Sequence, residues 1–238
     1  MATNYQVNIS MSVDSANALR NGNYYMYGFK AVAASQGGGA PLVWFQSQTY
    51  STSTNVEWET QYQAYTSSSA IIPNGQITAS FSDDIDLNQT LQVTSDTGTG
   101  TVVASGTQSA ISILNQTSSP FTCGISEVYE GQANAMCAFP LYGNGMDVIA
   151  PIEKVLLTFA TKQVNTGTVI EKAYSQGFLI DLTGAPSNTR DVFFDINQGW
   201  SCGGCTWAEQ VPPNANLSPL LIESSAAAMR KYGLQLIG

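Results

Sequence analysis

Four cysteines are the first side chains able to do chemistry: Cys123, Cys137, and the pair in Cys202-Gly-Gly-Cys205, which lies between Trp200 and Trp207. A C-x-x-C turn aims two thiolates at one point and supplies half of a zinc site. A four-cysteine site normally has two such turns, and here the other pair is 14 residues apart. Redox use of the motif needs a helix N-terminus to lower a thiol pKa, and these Gly- and Trp-rich surroundings predict a loop. The expectation is structural disulfides or free thiols and no metal. If the cysteines are oxidised, Cys123–Cys137 and Cys202–Cys205 is the simplest pairing.

Carboxylates come next. Asp84-x-Asp86-x-Asn88 matches the opening of a calcium-binding loop, but Gln89 stands where that loop needs Gly and Ser95 where it needs Glu. A calcium site of other geometry is the weaker reading, and a solvated turn the stronger. Glu57 and Glu59 share one face of a strand at roughly 7 Å. Catalytic carboxylate pairs usually come from different strands and need desolvation to separate their pKa values, so this pair predicts a wet face. Ser35 to Pro41, SQGGGAP, lacks the Lys-Ser/Thr ending of a phosphate loop and joins two strands.

Aromatic residues crowd the first third of the chain. Trp44, Trp58, Tyr62 and Tyr65 stand among Asn, Gln, Asp and Ser. Flat rings rimmed by amides and carboxylates suit sugars, whose CH faces stack while their hydroxyls meet fixed polar groups. The predicted ligand site is Trp44, Trp58, Tyr62 and Tyr65 with Asp84 and Asp86.

Composition narrows the chemistry further. None of the 238 residues is histidine, which removes Ser-His and Cys-His catalysis and ordinary His-ligated metals. Eight Lys and Arg against 17 Asp and Glu give a net charge of −9, a poor match for nucleic acid. Ser, Thr, Asn and Gln make up 80 residues, so neutral polar groups rather than charges keep the surface wet. The start, MATNYQVNISMS, has neither a basic segment nor an apolar one, so no secretory signal is expected there. Four Asn-x-Ser/Thr triplets, at Asn8, Asn88, Asn115 and Asn216, match what chance gives in such a composition.

The elements that must position these groups follow a period of two. Tyr5, Val7, Ile9, Met11 and Val13 alternate with polar residues, as do Val56, Trp58, Thr60 and Tyr62. Residues 24–34 and 41–50 are apolar on both faces and predict central strands. Further strands are expected at 76–81, 90–94, 101–104, 110–114, 155–161, 168–174, 177–182 and 192–196. Pro73-Asn74-Gly75 predicts a tight hairpin turn. Near the end, Ser218, Pro219 and Gly233 bracket a helix at about 219–231, before a short tail strand at 234–237.

The fold class predicted is all-β: a mainly antiparallel β-sandwich with a short C-terminal helix. It is built as two small units, 1–110 and 111–238, or as one continuous domain. The expected function is non-enzymatic, lectin-like recognition of glycans. The alternatives are a β-pore-forming toxin that inserts 46–69 or 94–119 into a membrane surface, and a self-assembling homo-oligomer that pairs hydroxyl-rich edges. In composition, though in no motif, the chain resembles the acidic all-β lectins and defence proteins of fungi and microbes.

Overall fold

The computed structural model describes residues 3–223. The first part of the chain forms β1 (Asn4–Met11), α1 (Val13–Asn21), β2 (Tyr25–Ala34), β3 (Ala40–Pro41), β4 (Phe45–Ser47) and β5 (Ser53–Ser67). Then come β6 (Phe81–Ile85), β7 (Thr90–Val93), β8 (Gly100–Val103), β9 (Ile111–Asn115), β10 (Phe121–Tyr129), β11 (Gln132–Ala135) and β12 (Cys137–Leu141). The last part forms β13 (Met146–Ala160), β14 (Gly177–Asp181), β15 (Thr189–Asp195), β16 (Gly199–Ser201), β17 (Ala208–Val211), α2 (Ser218–Leu221) and β18 (Ile222–Glu223).

The strands make two sheets packed face to face, the all-β sandwich that the alternating pattern predicts. One sheet runs β16-β15-β1-β5-β10-β12-β3, with β6 beside β5 and β11 beside β10. The other runs β17-β14-β13-β9-β7-β8, and β2 pairs along β13. Most pairings are antiparallel; β1 with β15, β7 with β9 and β2 with β18 are parallel. Both sheets mix strands from the two halves: β1 pairs β15 and β2 pairs β13. Each half of the chain thus completes sheets of the other.

Strand alternation explains where the core lies. On β2, Met26, Val32 and Ala34 point between the sheets, while Tyr27, Phe29, Ala31 and Ala33 point outward into a second apolar cluster. Val43, Ile170, Ala173, Leu217 and Leu221 cover that outer cluster. This accounts for a strand apolar on both faces. It also corrects two strand assignments. Residues 168–174 contribute only isolated bridges, and 41–50 hold only Pro41 of β3 and the three-residue β4, which pairs with β2. Outside β4, Val43, Ile170 and Ala173 are satisfied by packing over a sheet rather than by pairing within one.

Other corrections are local. The first strand stops at Met11, because Ser12 caps α1 by accepting the Ser15 N–H at 3.0 Å. Val13, which continues the strand period, is instead 63% exposed on the first helical turn. Strands β10 and β12 are absent from the sequence-based set. Pro73-Asn74-Gly75 does turn, with Asn74 at φ 60° and the Gly75 N–H donating to the Ile72 carbonyl, but no strands flank it as a hairpin. Of the predicted helix, α2 forms the start; the remainder and the tail strand at 234–237 lie outside the described residues.

Cys202 and Cys205 are bonded, whereas Cys123 and Cys137 are free and buried. Register is the reason. Cys123 on β10 faces Phe139 on β12, so Cys137 is its diagonal neighbour. Diagonal residues stand roughly 7 Å apart, against about 3.8 Å between the Cβ atoms of a disulfide.

Candidate functional site

Each sheet carries one long irregularity, and the two face the same buried group. On β13 the pairing with β2 jumps from Ile152–Ala31 to Val155–Lys30, leaving Glu153 and Lys154 out of register. Pro151, which cannot donate to the ladder, lies one residue before the last regular pair. On β5 the pairing with β10 jumps from Tyr62–Glu127 to Glu59–Val128, leaving out Thr60 and Gln61. Thr60 bonds instead to Thr3, its N–H donating to the Thr3 carbonyl and its hydroxyl accepting the Thr3 N–H. Lys30 and Glu127 therefore sit at the two bulges, one on each sheet.

Both side chains point into the core between the sheets, and both are fully buried. Lys30 Nζ lies 2.9 Å from Glu127 Oε2 and 3.3 Å from Glu153 Oε2. Neither Glu127 oxygen has a well-aligned hydrogen bond, although Lys30 Nζ and the Tyr62 hydroxyl both lie against the carboxyl. The Lys30 contact with Glu153 is hydrogen-bonded. The Glu153 side chain is 19% exposed and links the cluster to solvent. Aromatic rings wall the rest. Nζ is 4.2 Å from the centre of the Trp58 ring and 5.4 Å from that of Trp44. Trp44 Nε1 donates to the Glu127 carbonyl at 3.1 Å. Burial pushes the Glu127 carboxyl far above the usual carboxylate range, against the pull of Lys30 and with a push from Glu153. Burial raises the Tyr62 and Tyr5 phenols too, and the charges of Glu127 and Glu153 add to both shifts.

The β5 bulge also shapes the outside of its sheet. Two grooves adjoin there and share Gln61 and Val128. The first, about 590 Å³, is lined by Thr60, Tyr62, Gln63, Asp84, Asp86 and Gln89 among others. The second, about 550 Å³, is lined by Asn55, Glu57, Trp58, Glu59, Tyr129 and Glu130. Gln63 Nε2 donates to Asp84 Oδ1 at 2.9 Å across β5 and β6, and the Asp86 N–H donates to Gln89 Oε1 at 2.9 Å. No Lys or Arg lines either groove.

The predicted ligand residues thus divide. Tyr62, Asp84 and Asp86 meet in one groove, and Trp58 lines the other. Trp44 and Tyr65 line neither groove: Trp44 is enclosed beside Glu127, and the Tyr65 hydroxyl donates to the Cys137 carbonyl at 2.6 Å inside the sheet. Asn88 Oδ1 is taken by the Ser109 N–H, and among the described residues no three His, Cys, Asp or Glu side chains gather where a metal could sit. Sequence reasoning missed Lys30, Glu127, Glu153 and Gln61. A signal existed for the first two: a lone Lys within residues 24–34 and a lone Glu within 121–129 interrupt otherwise apolar or neutral strands.

No protein-family model matches the chain, and no curated protein or solved structure matches it either.

Proposed function

We propose that the protein is a non-enzymatic recognition module that binds a neutral glycan in the paired grooves over the β5 bulge. The observation that carries this reading is the lining: carboxylates and side-chain amides beside the largely buried Trp58, Tyr62 and Tyr129, continuous across Gln61, with no cation. Neutral sugars need that mixture. Their hydroxyls donate to fixed carboxylates and accept from amides. Asp84 and Gln89 are each held by a bond to their own sheet or turn, so part of the ordering cost is met before a ligand arrives.

The pore-forming alternative is less well supported. Strand β5 is hydrogen-bonded on one side to β1 and β6 and on the other to β10, and it carries Trp58 and Tyr62 into the core. Releasing residues 46–69 as a membrane hairpin would dismantle the sandwich. Among the described residues no helix is long and apolar enough to cross a membrane, so strands alone would have to do it.

Glycan-array screening followed by calorimetry tests the proposal. Binding at millimolar affinity or tighter is expected, and Asp84→Ala and Gln61→Ala should each weaken it at least about tenfold, consistent with the loss of one or two hydrogen bonds, with melting unchanged. Failure to bind any sugar at millimolar concentration refutes the reading.

A further inference from the structure

We propose that Lys30 and Glu127 condense to a side-chain amide, a covalent cross-link between the two sheets assisted by Glu153. This inference is independent of the glycan reading, because it concerns the interior face of the bulges rather than their outer grooves.

The first ground is proximity. Nζ is 2.9 Å from Glu127 Oε2, and the carboxyl carbon lies one C–O bond of about 1.2 Å beyond that oxygen, so nucleophile and electrophile are within about 4.2 Å. Both side chains are fixed by strands on opposite sheets, and two tryptophan rings confine the ammonium. Held reactants of this kind gain large effective molarities, which removes the entropic obstacle to amide formation.

The second ground is how poorly the buried Glu127 carboxyl is satisfied. A fully buried carboxylate normally accepts several well-aligned hydrogen bonds, and neither Glu127 oxygen has one, although Lys30 and the Tyr62 hydroxyl lie against it. A buried ion pair without that support is costly, because neither ion recovers its hydration. Condensation of the neutral Glu127 acid with the deprotonated Lys30 amine leaves one neutral amide and expels one water. In water the ions would be favoured; in this dry, ring-walled site the neutral product is.

The third ground is Glu153, which touches Nζ at 3.3 Å and has a partly exposed side chain. The steps balance as follows. Glu127 begins as the neutral acid, Lys30 as the ammonium and Glu153 as the carboxylate. Glu153 takes one proton from Nζ. The freed lone pair attacks Cδ of Glu127 and forms the C–N bond. A second Nζ proton joins the departing Glu127 hydroxyl as the C–O bond breaks, and one water leaves. Glu153 ends protonated and returns its proton to solvent through its exposed edge. No oxidant, reductant or other reactant enters.

Intact-mass spectrometry of the folded, full-length chain, after unfolding and reduction, tests this directly. The expected mass is below that of the sequence by one water. Trypsin should fail to cut after Lys30, and a branched peptide should join the segments that hold Lys30 and Glu127. The variants Lys30→Arg and Glu153→Gln should recover the missing water, with tryptophan fluorescence verifying that each is folded. A folded wild-type chain of full mass that is cut normally after Lys30 overturns the proposal, and this measurement needs no variant. Undiminished condensation in Glu153→Gln overturns the role given to Glu153.

Discussion

Asp147 offers the sharpest test of how burial governs stability in this fold. It lies on β13, fully buried between the sheets. The Ser35 hydroxyl and the Val148 N–H each donate to its Oδ1 at 2.9 Å, while Oδ2 has no hydrogen-bond partner. Burial outweighs these bonds and pushes the carboxyl from its ordinary 3.8 up to about 6. Between those two pH values the folded chain keeps a proton that the unfolded chain has released. The stabilisation is therefore fully present below about pH 4 and is lost as pH rises through about 6. At about 1.36 kcal/mol per pH unit, the loss is about 3 kcal/mol. Asp147→Asn keeps the shape and the Oδ1 acceptor but cannot ionise. Urea unfolding followed by tryptophan fluorescence, at several values between pH 4 and pH 7.5, should show the two proteins similar at the acid end. At the neutral end the variant should be more stable, by up to about 3 kcal/mol. Other carboxylates contribute equally to both proteins and cancel in the difference. If the two curves run parallel, or if the wild-type advantage grows as pH rises, Asp147 is not a neutral acid in the native core and the reasoning fails.

Two further outcomes follow from the interior of the same sheets. A Cβ at Gly124 would stand 2.0 Å from the Cys137 carbonyl oxygen and 2.6 Å from the Tyr65 hydroxyl. Gly124→Ala should therefore cost at least about 3 kcal/mol, read as a lower urea midpoint; a variant within about 1 kcal/mol of wild type would contradict the close β10–β12 approach. Burial raises the Cys123 and Cys137 thiols, so neither should react with a thiol reagent in the native state. Two thiols should titrate after unfolding without reductant and four after reduction. Rapid native reaction would show that the β10–β12 interior opens.

Much of the architecture is legible from alternation, because a half-buried strand needs apolar residues on one face only. Strand β5 shows this most clearly: Thr54, Val56, Trp58 and Tyr62 are buried while Ser53, Asn55, Glu57, Glu59 and Gln61 are exposed. The period fails where another interaction competes with pairing. At Ser12 a side-chain cap diverts the chain into α1. At 168–174 a second layer buries apolar side chains without a ladder. The polar site is harder to read, because aromatic residues suit both a core and a sugar platform. Trp44 and Tyr65 meet the first use, and Tyr62 reaches an outer groove while only 9% exposed. Glu127 and Glu153 are ordinary glutamates by spacing; only the register shifts bring them to Lys30.

Those shifts connect the interior chemistry to the exterior surface. A bulge that inserts two residues preserves which side chains face inward, so Trp58 and Tyr62 remain in the core on either side of Thr60 and Gln61. The inserted residues still interrupt the ladder and bend the strand. Inside, Glu127 sits at the interrupted pairing of β10, opposite the similarly interrupted β13 that carries Glu153. Outside, the same inserted Gln61 forms the saddle between the two polar grooves. A cross-link between Lys30 and Glu127 would hold β10 against β2 directly beneath that saddle. Deleting Thr60 and Gln61 together would restore regular pairing, and it would remove the groove and displace Glu127 in one step. Covalent bonding and ligand binding are separate proposals, yet both depend on one irregularity in β5. A chain that bound sugar without the amide, or formed the amide without binding sugar, would show which face of the bulge the sequence maintains.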